Sequence, residues 1–265
     1  MRYTLGFIGC GNMGGALARV AVKSLPAEKI AVCDKHEEKT RPLANDYGVK
    51  IENLQTIAKE SKFIVLGVKP QGMEQTLVSL SDIVKNRDDV VLVTMAAATE
   101  IRKIRDCVGA NLPVIRIMPN TPAVLGAGML LYTIEGVTAQ DEEEFLHVFA
   151  SAGRWDKLPE ELMDAGGALS GCGPAFVYAF AQALTEGAVE CGVPREKAEL
   201  YAAQTLKGAS EMLLAFGDPE SLKKAVCSPG GTTIEGIRVL EETNFQAIVK
   251  SAVNASYQKS LKLKK

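Results

Sequence analysis

Three features of the 265-residue chain predict its fold class. Short β-branched runs alternate with helical patterns over residues 1–158, a glycine-rich turn follows the first of those runs, and no convincing strand occurs from Pro159 onward. Strands and helices alternating at this length imply a parallel sheet with helices on both faces. The expected protein is therefore α/β. Residues 1–158 should form a Rossmann-type doubly wound parallel sheet, and residues 159–265 an all-α dimerisation domain. Length agrees, since one domain per ~150 residues gives about two.

In chain order, strands are expected at Leu5–Ile8, Ile30–Cys33, Phe63–Leu66, Val90–Thr94, Val114–Ile117 and Gly128–Tyr132. Helical patterns lie between them at Gly14–Val22, Lys35–Asp46, Leu54–Glu60, Met73–Ile83 and Glu100–Cys107. The runs Phe63-Ile-Val-Leu and Val90-Val-Leu-Val are apolar without alternation, as in strands buried on both faces. The second half reads as consecutive helices at Glu160–Gly167, Pro174–Cys191, Pro194–Ala215, Asp218–Val226, Thr232–Glu242 and Phe245–Leu263. The stretch from Pro174 is apolar around most of its circumference, which requires burial in a core or in a subunit interface. Several such segments in one helical domain favour a homodimer. The lysines from Lys262 to Lys265 read as a solvated end.

Composition excludes whole classes of function. Hydrophobic residues make up 47% and charged residues 23%, which excludes a disordered chain. Lys plus Arg is 30 against Asp plus Glu at 32, a net charge of -2 that offers no field for nucleic acid or anionic membrane. The six cysteines show no CxxC spacing, which argues against a disulfide framework or a zinc site. With two histidines, His36 and His147, neither a metal centre nor a histidine-based triad is expected. The opening M-R-Y-T-L-G-F-I-G has no apolar leader, so the expectation is a cytoplasmic protein.

Gly9, Gly11 and Gly14 form G-x-G-x-x-G directly after a strand and directly before a helix. The first glycine suits a tight turn, the second lets backbone approach a pyrophosphate, and the third lets helix and sheet pack closely. Asn12 and Met13 complete the turn, with helix N-terminal amides facing the phosphates. Asp34 ends the next strand, where an acidic residue accepts from the adenosine ribose hydroxyls and favours NADH over NADPH. Lys35 and Lys39 follow at once and could receive a 2′-phosphate, so the lean toward NADH is slight; a cap on the following helix is the alternative role for Asp34. Val68, Lys69 and Pro70, and Asn120 in M-P-N-T-P, stand at further strand C-termini, where ligands collect. Asn120 could hydrogen-bond a nicotinamide amide.

The second informative turn is Cys227-Ser228-Pro229-Gly230-Gly231-Thr232-Thr233-Ile234-Glu235. Thr232-x-x-Glu235 has capping-box spacing, so Thr232 is expected to cap a helix running to Glu242. Gly230 and Gly231 leave free amides. Those amides, the helix dipole and the hydroxyls of Ser228, Thr232 and Thr233 could bind a small carboxylate; a well-capped helix without a ligand is the other reading.

Together with A-L-S-G-C-G-P-A-F at 168–176 and L-K-K-A-V-C-S-P-G-G-T-T-I-E-G at 222–236, these segments resemble pyrroline-5-carboxylate reductases over essentially the whole chain. The resemblance implies NADPH- or NADH-dependent reduction of 1-pyrroline-5-carboxylate to L-proline, the last step of proline biosynthesis. It implies that Ser228, Gly230, Gly231, Thr232 and Thr233 hold the substrate carboxylate, with Thr233 beside the ring nitrogen. Asn53 falls where that family contacts the cofactor. The family forms dimers through the helical domain, often arranged in larger rings. Two rival readings lack support in the residues. A β-hydroxyacid dehydrogenase needs a lysine base, and Phe176 stands where it would be sought; a non-catalytic dinucleotide sensor has no need of S-P-G-G-T-T.

Overall fold

The computed structural model describes residues 2–264. An eight-stranded sheet is formed by β1 (Tyr3–Ile8), β2 (Ile30–Cys33), β3 (Lys50–Ile51), β4 (Ser61–Leu66), β5 (Val91–Thr94), β6 (Val114–Met118), β7 (Gly128–Glu135) and β8 (Gly153–Lys157). Its order is β3-β2-β1-β4-β5-β6-β7-β8. The first six strands are mutually parallel, β7 runs antiparallel to β6, and β8 runs parallel to β7. Strand order reverses between β1 and β4, and in open sheets of this kind the ligand crevice lies at that switch point.

Both faces of the sheet are buried. Leu5, Phe7, Phe63 and Val65 join one core with Leu17 and Val20 of α1 (Asn12–Ala21) and Phe145 of α6 (Ala139–Val148). Ile8, Ile64 and Leu66 join the opposite core with Ile57 of α3 (Leu54–Glu60), Leu77 of α4 (Pro70–Val84) and Ile104 of α5 (Ile101–Val108). Alternate residues of the same strand thus enter different cores, which is why these strands show no polar face. Helix α2 (Glu37–Tyr47) follows β2.

Three elements went unmarked by apolar periodicity. Helix α6 is rich in acidic residues and buries only Phe145 and Val148; Thr138 caps it by accepting from the Asp141 amide at 3.1 Å. Strand β8, G-R-W-D-K, is a half-exposed sheet edge, and β3 is two residues long.

The helices of the second half are α7 (Met163–Ser170), α8 (Gly173–Glu190), α9 (Arg195–Phe216), α10 (Pro219–Val226), α11 (Thr232–Glu242) and α12 (Phe245–Leu263). Two compact units divide the chain. One runs through Cys172 and takes back the C-terminal stretch from Ser256; the other is Gly173–Ala255. Although the sequence changes character at 158/159, α7 belongs to the sheet unit because its glycines lie on it. A Cβ at Gly166 would crowd Leu131 of β7, and one at Gly167 would crowd Met118 of β6. The helical unit buries little on its own. Of α8 only Thr185 is buried, while Val177, Tyr178 and Leu184 are exposed, as are Leu200, Leu214 and Phe216 of α9. Of the two placements open to the apolar α8, a core within one chain is not the one observed. Among the described residues no helix is long and apolar enough to cross a membrane.

Candidate active site

The first glycine turn is packed backbone on backbone. Gly9 has φ +97°, and a Cβ there would meet the Gly67 carbonyl carbon at 2.6 Å. A Cβ on Gly14 or on Gly67 would collide with the Gly9 carbonyl oxygen, so these three glycines interlock. Gly67, just after β4, is a structural requirement that motif reading at the first turn overlooks. Gly11 differs. A Cβ there would meet no protein atom within 4 Å, although Gly11 lines a cavity of about 360 Å³. Nothing in the chain itself requires glycine at that position. The open space and the N-terminus of α1, which no side chain caps, fit the approach of a dinucleotide pyrophosphate.

Gly9, Asp34, Lys35, Val68 and Lys69 line the same cavity. Asn12 is exposed, Met13 half-buried, and both open α1. Pro70 starts α4 at its first turn, where a missing N–H costs nothing. Asn53 caps α3 by accepting from the Thr56 amide at 2.8 Å, and its neighbour Leu54 reaches the cavity.

Asp34 is turned back beneath the glycine turn. Its Oδ2 accepts from the Cys10 amide at 2.7 Å and its Oδ1 from the His36 amide at 2.9 Å, with Lys39 Nζ at 3.7 Å. The N-cap of α2 is His36, so the carboxylate braces the turn ahead of the helix instead of capping the helix. Burial works to raise its pKa, but the two amides and Lys39 outweigh that and hold it below the ordinary carboxylate value. Burial also pushes the Cys10 thiol up to about 12, which makes this turn cysteine a poor nucleophile.

Asn120 takes a different role from the one its strand-end position suggests. It is 7% exposed; Nδ2 donates to the Ser170 carbonyl at 2.9 Å, and Oδ1 accepts from the Met129 amide at 3.1 Å. Its amide braces the end of β6 against β7 and α7, and is directed at backbone instead of a nicotinamide.

Close by is a buried ionic cluster with no sequence-local signal. Arg116 of β6 is fully buried and pairs with Asp164 of α7 at 3.1 Å and Glu160 at 3.3 Å. Asp164 also accepts from Ser260 Oγ at 2.9 Å and faces Lys264 Nζ at 2.6 Å; Lys264 reaches Glu100 at 2.7 Å. Lys264 therefore clasps the chain's end onto the sheet unit and is not part of a solvated tail, while Lys265 lies outside the described residues.

In the helical unit, the turn from Cys227 to Gly231 joins α10 to α11. Gly230 has φ +69°, and the Gly231 amide donates to the Ser228 carbonyl at 3.0 Å. The expected capping box is absent. Gly231 is the N-cap, Thr232 is already the first helical residue, and no side chain caps the helix. Glu235 is drawn away by Arg238, at 3.1 Å, which also pairs with Glu242 at 2.8 Å. Ser228, Thr232 and Thr233 are exposed. The helix N-terminus there has no side-chain cap, is opened by two glycines and is flanked by three hydroxyls, and uncapped amides of this kind favour negative charge.

A doubly wound sheet with an interlocked glycine turn at its switch point defines the class: a dinucleotide-binding protein. Residues 4–98 match the model of a family described as NADP oxidoreductase, coenzyme F420-dependent, and residues 160–263 match that of pyrroline-5-carboxylate reductase dimerisation. The pyrroline-5-carboxylate reductase of Escherichia coli K12 is 37% identical over 100% of both chains, and that of Glycine max 37% identical over 98% of this chain and 96% of its own. The crystal structure of Plasmodium falciparum pyrroline carboxylate reductase with NADP bound superposes with a TM-score of 0.90 at 29% identity, covering 99% of this chain and 98% of its own. The chain belongs to the pyrroline-5-carboxylate reductase family.

Proposed function

We propose that this enzyme reduces the C=N bond of 1-pyrroline-5-carboxylate to give L-proline, the last step of proline biosynthesis. The observation that carries the reading is the open N-terminus of α11, with Gly230 and Gly231 before it and Ser228, Thr232 and Thr233 around it. A chain that needed only to bind a dinucleotide would have no use for this second anion site. Family membership supplies the substrate class.

A reduced nicotinamide supplies the hydride. Gly9, Gly11, Asn12, Met13 and Gly14 would hold the pyrophosphate, and Asn53, Val68, Lys69 and Pro70 would border the remainder of the cofactor. The ring carboxylate is received by the amides of Gly230, Thr232 and Thr233 and the hydroxyls of Ser228, Thr232 and Thr233, the Gly231 amide being held by the Ser228 carbonyl. The protonated imine is already electrophilic and keeps its proton as it becomes the amine of proline, so no separate base is required. Thr233 accepts from or donates to that nitrogen and fixes the ring. Positioning of this kind can lower a barrier by roughly 7–11 kcal/mol in favourable cases.

The exposed apolar residues of α8 and α9 are covered by a second copy of the chain, giving a homodimer that can assemble further into a ring. Six unpaired cysteines suit a reducing compartment, and we place the enzyme in the cytoplasm. The test is the loss of reduced-nicotinamide absorbance on addition of 1-pyrroline-5-carboxylate, run separately with NADH and NADPH. Turnover with proline as product is expected; intact cofactor binding without turnover would overturn the substrate assignment.

A further inference from the structure

Resting on the cofactor role of the cleft given above, we propose that Glu160 and Lys264 are positioning residues for the turn at residues 95–99, after β5. They reach it from the segment before α7 and from just beyond α12, and hold it in the form that a bound dinucleotide meets. Without them, affinity for the whole dinucleotide falls while affinity for its adenosine half stays.

The turn stands in the right place. Ile8, Leu66 and Thr94 lie in register across β1, β4 and β5, so the residues after them open three neighbouring turns on one edge of the sheet. The first two turns line the cofactor cavity through Gly9, Gly67 and Val68. With the adenosine ribose at the end of β2 and the pyrophosphate over the turn after β1, the other half of a dinucleotide extends toward β4 and β5. The turn after β5 is next in that line.

Its internal bonds are poor. The Ala96 amide reaches Thr94 Oγ1 at 3.3 Å, the Thr99 amide reaches the Ala96 carbonyl at 3.4 Å, and Thr99 Oγ1 reaches the Ala97 carbonyl at 3.4 Å. All three are longer than good hydrogen bonds. Ala98 sits at φ +57°, a left-handed conformation that a residue with a Cβ keeps only where its surroundings enforce it.

The short contacts come from far along the chain. Glu100 is the N-cap of α5, but its side chain does not cap the helix. Glu160 does so in its place, its Oε1 accepting from the Ile101 amide at 2.8 Å. The Glu100 carboxylate accepts instead from Lys264 Nζ at 2.7 Å. Both outside residues are themselves anchored in the buried cluster, Glu160 on Arg116 at 3.3 Å and Lys264 on Asp164 at 2.6 Å. Two fixed points thus sit directly after a strained turn that binds itself weakly.

A matched ion pair serves as the control. Lys62, near the start of β4, stands between Asp141 at 2.6 Å and Glu144 at 2.5 Å, and is 19% exposed against 23% for Lys264. It lies at the strand's other end from Leu66 and the cavity.

The test is isothermal titration of the full-length enzyme with no imine present. Lys264→Met should bind NADPH and NADH about fivefold more weakly than wild type, as when the competent turn falls to roughly a fifth of the molecules, and should bind adenosine 5′-diphosphate equally well. Glu160→Gln should act in the same direction, and Lys264→Arg, which keeps the pairing with Glu100, should restore the affinity. Lys62→Met should lower the denaturant midpoint and leave both affinities unchanged. Amide hydrogen exchange should quicken at residues 96–101 in Lys264→Met and Glu160→Gln, and not in β1. Wild-type dinucleotide affinity in Lys264→Met, or equal weakening of dinucleotide and diphosphate, overturns the positioning role and leaves the cofactor cleft standing. A wild-type enzyme that binds neither ligand overturns the cleft as well. Failure of imine reduction touches none of these results. Should Lys264→Met fail to fold, Glu100→Gln weakens the same contact from its half-exposed side and decides the matter.

Discussion

Two glycine-rich turns open helices in this protein, and they use glycine for opposite reasons. At the end of β1, Gly9, Gly14 and Gly67 are needed because protein backbone occupies the space that side chains would take. Before α11, Gly230 has open space around it, and the helix it leads into has no cap. The first turn is finished within its own unit; the second leaves the start of its helix uncapped. The same contrast runs through the units that carry them. The sheet unit buries a core on each face and an ionic cluster beside it, whereas the helical unit leaves its large apolar side chains exposed. A region complete in itself should fail by unfolding when altered, and a region completed by something else should fail by losing that partner.

The largest effect should come from the ionic cluster. Asp164→Ala leaves Arg116 buried with only Glu160 beside it, and the expected loss is about 3 kcal/mol, the low end for breaking a buried pair. Denaturant unfolding monitored at Trp155, in β8 of the sheet unit, measures it. The acid dependence has a definite sign. Burial works to raise the Asp164 carboxyl, but Lys264, Ser260 and Arg116 hold it below its ordinary value. Its stabilising contribution is therefore complete above the unfolded pKa of about 3.9, and is lost as pH falls through the lower folded value. Asp164→Asn should flatten the stability curve below about pH 4. An unchanged acid limb would mean the cluster is not what holds the chain's end in place.

Apolar exposure in the helical unit supplies the next test. Leu214 and Phe216, 78% and 69% exposed, contribute nothing to the core of a single chain. Replacing both with glutamate should weaken association by about 2 kcal/mol or more, roughly thirtyfold, if they sit at the centre of a dimer interface. Light scattering across a dilution series reads this directly. Dimers as tight as wild type would move the interface to another face and weaken the contrast between the units.

The glycines themselves sharpen the comparison. Gly14→Ala drives a Cβ into the Gly9 carbonyl, and relief requires moving the turn, at a cost of up to about 3 kcal/mol together with cofactor-fragment binding. Gly230→Ala meets no neighbour and pays only for a left-handed backbone, about 1–2 kcal/mol. It should keep fragment binding and raise KM for the imine. If both variants lose fragment binding alike, the two turns are not independent.

The same distinction explains what could be read before folding. Strand β1, its glycine turn and the helix at Thr232–Glu242 were legible because each is specified by neighbours within a few residues. Arg116, Asp164 and Lys264 were not, because their pairing joins a strand, a short helix and the chain's end, and nothing local marks any of them as paired. Asp34 was recognised by position, yet its orientation depends on the Cys10 amide from the turn after β1. The capping box failed for a local reason: Glu235 has a competing partner in Arg238 one turn further along α11. Spacing shows which contacts are available; it does not rank them.

Thr233→Ala is the smallest change and tests the open turn alone. Thr233 is exposed at the start of α11 and no hydrogen bond from its side chain supports the helix, so unfolding stability should stay within about 0.5 kcal/mol of wild type. What it removes is the hydroxyl proposed to fix the ring nitrogen, and one hydrogen bond of that kind is worth about 1–2 kcal/mol. The expected outcome is a fall in kcat/KM of roughly five- to thirtyfold, with the KM for the nicotinamide cofactor unchanged. Thr233→Ser keeps the hydroxyl and should recover most of the loss. Serine and alanine behaving alike would show that the methyl packs and the hydroxyl is idle; the carboxylate would then be held by backbone amides alone. An alanine variant with wild-type kinetics would remove Thr233 from the site altogether.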